Sequence, residues 1–254
     1  MKSLKQIVQE NFKFKINRDN TIYTYHPNSW EELRRIIVDR FKELGPGTPQ
    51  EPIDFNDIDV SRIDTFYNQS NDTGIFEKTS FEYIDVSGWD VSNVTNMMGT
   101  FYNNYNNYTN LKSVGDLSDW NVSNVETMGW LFCDCENLEF IGDLSKWDVS
   151  NVKTMKYMFD NCKNLQSVGD LSNWNVSNVL DMGYMFDNCK NLQSIGDLSN
   201  WDISSVNNMN EMFHGCKKLK SVGDLNKWDI SNINRKSNMF EKSGIKNIPS
   251  WYKI

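Results

Sequence analysis

Trp147-Asp-Val-Ser-Asn-Val-Lys-Thr-Met155-Lys-Tyr-Met158-Phe159-Asp-Asn-Cys162-Lys-Asn-Leu165-Gln-Ser-Val168-Gly-Asp-Leu171-Ser-Asn173 is one copy of a unit that recurs along most of the chain. Six tryptophans (Trp89, Trp120, Trp147, Trp174, Trp201 and Trp228) head the copies, at steps of 31 and then 27 four times. Self-similarity at a fixed period of this size marks a stacked-repeat architecture. Such a chain presents a surface for holding something more readily than a pocket for chemistry.

Within one copy, Val149-Ser-Asn-Val152 and Leu165-x-x-Val168-x-x-Leu171 have short extended character. Met155, Met158 and Phe159, spaced i, i+3, i+4, suggest one or two turns of helix. A unit this small cannot bury its own apolar side. Stacking on its neighbours turns each apolar position into a column running the length of the array.

The array frays at both ends. Ile58-Asp-Val-Ser-Arg-Ile63 is a degenerate first copy, 31 residues before Trp89, with its excess placed between Asn68 and Thr79. The second copy carries its excess around Tyr102, Tyr105 and Tyr108 in an Asn-rich insertion. In the last, Lys236 replaces the Met, Met239-Phe240 survive, and Pro249 and Trp251 close the end. Residues 1–56 do not repeat: Phe12 to Tyr25 reads as a hairpin around Asn17-Arg-Asp-Asn20, and Ser29 with Glu32 makes a capping box for a helix from Trp30 to Leu44. The expected organisation is a capping segment at 1–56 and about seven repeats of 27–31 residues at 57–254.

A net charge of −8 and the absence of a basic stripe argue against nucleic acid. No apolar run nears the ~18 residues that would cross a bilayer. Met1 to Glu10 has no apolar h-region, so a cytoplasmic protein is expected, in a bacterial or phage-infected cell, with a surface or virion location as the alternative. Cys135, Cys162, Cys189 and Cys216 each follow a Trp by 15 residues, with Cys133 extra. An odd count on one recurring position reads as buried free thiols, and a lone C-x-C lacks zinc spacing.

The string W-[DN]-[VI]-S-[NS]-[VI]-x-x-M-x-x-[ML]-F-x-x-C-x-x-L, over about residues 58 to 245, resembles the repeat of the BspA-like leucine-rich-repeat surface proteins. The helix after Tyr25-His26-Pro27 resembles the leader often seen ahead of such arrays. The resemblance implies a leucine-rich-repeat-like solenoid of short parallel strands and short helices, right-handed, with a small α+β N-terminal cap. It supplies no catalytic residues and implies adhesion or protein binding.

Asp116, Asp143, Asp170, Asp197 and Asp224 recur in a Gly-Asp-Leu turn, where carboxylates accepting backbone N–H bonds is the plain reading and a calcium ladder the sharper one. The Ser-Asn columns read as hydrogen-bond ladders. Only His26 and His214 are available for acid–base work, so catalysis would require His214 and several carboxylates to converge in one cleft. No catalytic, metal or cofactor site is assigned. The candidate contact residues for a protein partner are Tyr102, Tyr105 and Tyr108 in the insertion, and the column Trp130, Tyr157 and Tyr184, ten residues after their tryptophans. The expected function is non-enzymatic protein binding through the repeat face and inserted loops, as a phage-encoded or cytosolic inhibitor or adaptor. A structural or surface component acting by self-association is the alternative.

Overall fold

In a computed structural model, residues 23–77, 79–102 and 110–253 are described. The chain winds into coils that touch through parallel single-residue bridges. One ladder runs Thr65–Asn96–Thr127–Thr154–Asp181–Asn208–Arg235, and its steps of 31, 31 and then 27 residues are the periods of the sequence. A second runs through Tyr83, Ser113 and Phe140 and resumes at Ser167 and Ser194. It is extended at the N-terminal end by strands β1 (Ile53–Asp54) and β4 (Ile84–Asp85), which pair in parallel with Ile53 opposite Ile84. The extra residues of the first copy form a small antiparallel hairpin, β2 (Tyr67–Asn68) against β3 (Thr73–Gly74).

Each apolar column is a core ladder. Phe101, Phe132, Phe159, Phe186 and Phe213 stack with ring centroids 5.1 to 6.1 Å apart and nearly parallel planes. Such contacts add to the burial of their area by about 0.5–1.5 kcal/mol per pair. The indole and thiol groups of the repeat columns find partners one coil back. The Nε1–H of Trp147, Trp174, Trp201 and Trp228 donates to the carbonyl of Leu117, Leu144, Leu171 and Leu198, each at 2.9 Å. The Cys162, Cys189 and Cys216 thiols donate to the carbonyls of Phe132, Phe159 and Phe186 at 3.1, 3.0 and 2.9 Å. All five cysteines are free and buried.

Turn chemistry closes each coil. The Asp116, Asp143, Asp170 and Asp197 Oδ1 atoms accept the backbone N–H two residues on, at 2.9 to 3.0 Å, as the plain reading of that column expected. Bonds from the Ser172 and Ser199 side chains and backbone, and from the Asn226 backbone and side chain, hold the Asp170, Asp197 and Asp224 carboxyls below their ordinary range. The preceding glycine is obligatory: at Gly169 φ is +89°, and a Cβ would collide with Asp143. The Asn124, Asn151 and Asn178 amides donate to the carbonyls of Ser92, Ser123 and Ser150 at 2.7 Å, forming the expected ladder.

The expected helix over Met155 to Phe159 is not formed, although Met155, Met158 and Phe159 are fully buried. Alternate N–H groups leave the local chain altogether. Met155, Tyr157, Phe159 and Asn161 donate to Asp181, Gly183, Met185 and Asp187 of the next coil, all at 2.9 Å, while Met158 and Cys162 close i→i+3 turns. Tyr157 and Asn161 have φ of +57° and +56°, incompatible with a right-handed helix. Among the described residues the repeats hold only two 3-10 turns, Leu144–Lys146 and Leu225–Lys227.

Helix α1 (Trp30–Leu44) is where the capping box put it, with the Ser29 hydroxyl accepting the Glu32 N–H and Gly45 at φ +75° ending it. Leu33 and Ile37 are buried against the first coils, and Phe41 meets Phe81 edge-on at 4.9 Å. Arg40 binds Asp57 through both nitrogens, at 2.7 and 3.0 Å. Residues 12–22 of the expected hairpin lie outside the described residues; Tyr25 makes a parallel bridge to Ile58. At the other end Trp251 Nε1 donates to the Leu225 carbonyl and Tyr252 abuts Phe240 edge-on. No helix among the described residues is long and apolar enough to cross a membrane.

Candidate functional site

Two columns run side by side along the coils. The first lies ten residues after each tryptophan: Gly99, Trp130, Tyr157, Tyr184, Glu211, Asn238. The second lies thirteen after: Tyr102, Cys133, Asp160, Asp187, His214, Glu241. In every coil the backbone N–H of the second donates to the carbonyl of the first, at 3.0 to 3.3 Å, so one turn sets both.

The first column is held in the left-handed backbone region throughout, with φ between +54° and +61°. Glycine and asparagine accept this readily, whereas a bulky L-residue is an outlier there, at a cost of order 1 kcal/mol or more. Three of the six positions nonetheless carry Trp130, Tyr157 and Tyr184. These half-buried rings stack on one another, Trp130–Tyr157 at 5.2 Å and Tyr157–Tyr184 at 4.6 Å. The Lys156 ammonium sits 5.6 Å from the Trp130 centroid and 5.0 Å from that of Tyr157. Burial raises the Tyr157 and Tyr184 phenols, which stay protonated and able to donate.

The second column is acidic and largely enclosed. Burial, with Asp187 and Asp134 beside it, pushes the Asp160 carboxyl up to about 8. Its Oδ1 is buried with no hydrogen-bond partner. Burial also raises the Cys133 thiol far out of its reactive range, with Asp134 and Asp160 adding to the effect. His214 Nδ1 lies 2.7 Å from Asp187 Oδ1 and 3.7 Å from Glu211 Oε2, and its Nε2 lies 3.5 Å from Lys242 Nζ. His26 is elsewhere, 3.2 Å from Asp59 Oδ2 near α1.

His214 thus does meet two carboxylates, which the sequence left as a condition for catalysis. An Asp-oriented imidazole can serve as a base, and among the described residues the polar contacts of His214 are Asp187, Glu211 and Lys242. Of the expected contact residues, Trp130, Tyr157 and Tyr184 come together, and Tyr102 heads the adjoining column. Tyr105 and Tyr108 lie outside the described residues. The His214 cluster was missed because its members are 27 residues apart; reading repeat position thirteen down the chain would have placed Asp187 beside His214.

Comparison with known proteins gives a family model described as Mycoplasma protein of unknown function, DUF285, over residues 70–168 and 163–251. No curated protein matches the chain. A crystal structure of a leucine-rich repeat protein from Eubacterium ventriosum is similar at 20% identity and a TM-score of 0.45, over 76% of this chain and 44% of the other. The chain therefore spans less than half of that protein.

Proposed function

We propose, for a chain that belongs to the family described as Mycoplasma protein of unknown function, DUF285, a non-enzymatic role: holding a protein partner on the face built by the two columns. The observation that carries this is the aromatic column. Trp130, Tyr157 and Tyr184 occupy positions where the backbone favours Gly or Asn, and their burial is incomplete. Neither local conformation nor core packing accounts for them, whereas Trp and Tyr are the side chains that dominate protein contacts. Lys156 over the rings shows that the column suits a partner's Lys or Arg. Tyr102 heads the adjoining column, and Tyr105 and Tyr108 follow it in the sequence as further candidate contacts. The reading takes the coil stack as a right-handed leucine-rich-repeat-like solenoid acting in the cytoplasm, as an adaptor or as a phage-encoded inhibitor.

One observation favours the alternative, self-association as a structural component. In inner coils, alternate N–H groups of this stretch bond the next coil. In the last, those of Lys236, Asn238, Phe240 and Lys242 have no partner among the described residues. Unpaired N–H groups of this kind can pair with a further coil or with another chain.

The test is affinity capture from host lysate with mass spectrometry, using the intact chain, a Trp130→Ser/Tyr157→Ser/Tyr184→Ser variant and a chain lacking residues 102–110. A stoichiometric partner lost in the triple variant supports the column. Loss only on deletion moves the site to the insertion, and capture of the chain by itself alone supports self-association.

A further inference from the structure

We propose that Asp187, Glu211 and His214 form a binding site for one divalent transition-metal cation, with Zn2+ as the defining probe. Asp187 Oδ1, Glu211 Oε2 and His214 Nδ1 all lie within 4.8 Å of one another. The separations from Nδ1, 2.7 and 3.7 Å, bracket the roughly 3.0–3.5 Å that bonds of about 2.0–2.2 Å impose between neighbouring ligands. Little movement is needed to admit the ion.

The scaffold is fixed by the repeat. The His214 N–H donates to the Glu211 carbonyl at 3.0 Å, and the Asn188 N–H donates to the His214 carbonyl at 2.8 Å, which ties Asp187 to the same place. Asp187 is buried, and the His214 side chain is only 15% exposed. One imidazole and two carboxylates suit Zn2+ or Mn2+ and disfavour Ca2+, which prefers an all-oxygen shell.

Lys242 is the local competitor. Its ammonium faces Nε2 and favours the tautomer with the proton on Nδ1, the atom the metal needs. Binding shifts that proton to Nε2, and Lys242 turns to Glu241, whose carboxylate is 3.3 Å away. Removing the lysine should therefore tighten the site, an effect that misfolding cannot imitate.

The experiment is calorimetric titration of the full chain with Zn2+ alone at neutral pH, with thermal unfolding in parallel. Expected are one ion per chain and a rise in Tm of about 5 °C at a hundredfold excess over Kd. His214→Gln should weaken binding at least tenfold, while its metal-free Tm shows that it is folded. Lys242→Gln should tighten binding by about three- to tenfold through loss of a like charge. No stoichiometric binding, unchanged affinity in His214→Gln, or weaker affinity in Lys242→Gln would each overturn the site.

Discussion

The Trp251 indole nitrogen donates to the Leu225 carbonyl at 2.8 Å, the bond that Trp228 makes to Leu198 one coil earlier. Trp251 therefore repeats the tryptophan bond of the coils before it, and Tyr252 meets Phe240 edge-on at the end of the described phenylalanine stack. Trp251→Phe keeps most of the apolar area and loses the bond, so it should cost about 1 kcal/mol. Trp251→Ala should cost about 3 kcal/mol. Hydrogen exchange should show both losses as opening confined to the last coil.

Gly169→Ala should be far worse than Gly45→Ala. Both residues have positive φ, but an added Cβ at Gly45 meets nothing within 4 Å, whereas at Gly169 it strikes Asp143. Chemical denaturation should give about 1 kcal/mol for Gly45→Ala and at least about 2 kcal/mol more for Gly169→Ala.

The five thiols should be silent in the folded chain. Each is buried, and burial raises its pKa, so almost no thiolate is present at neutral pH. A thiol-reactive disulfide reagent should modify none of them in native buffer and all five in denaturant. Rapid native modification would contradict the ladder of thiol–carbonyl bonds.

Arg40 and Asp57 predict an acid-sensitive N-terminal contact. Burial alone would raise the Asp57 carboxyl, but the two bonds from Arg40 outweigh it and hold it below its ordinary value. A depressed pKa contributes stability above the unfolded value, near pH 4, and that stability is lost as pH falls through the folded value. Arg40→Ala should cost about 1 kcal/mol at pH 7 and progressively less below about pH 4, measured by denaturation across pH.

The repeat period, helix α1 and the buried columns were legible because each rests on local or strictly periodic signals. The register of Thr127, Thr154 and Asp181 is the spacing of the tryptophans. The segment from Met155 to Phe159 was misread because its apolar spacing fits a helix, while its N–H groups serve the next coil. Asn161, Asn188 and Gly215 did signal the left-handed turns at their own column. At the other column Trp130, Tyr157 and Tyr184 concealed the same conformation, since nothing local favours a bulky residue there. The Asp187–His214 contact was not legible locally because it joins residues one full period apart.

The most direct test of the account places a photo-cross-linking benzoylphenylalanine at Tyr157, within the aromatic column, and separately at Leu180, an exposed residue outside it. In host lysate, Tyr157→benzoylphenylalanine should yield one discrete cross-linked partner, and the same substitution at Leu180 should yield none. Cross-links from Leu180 alone, or only to a second copy of the chain, would contradict the column as the binding surface.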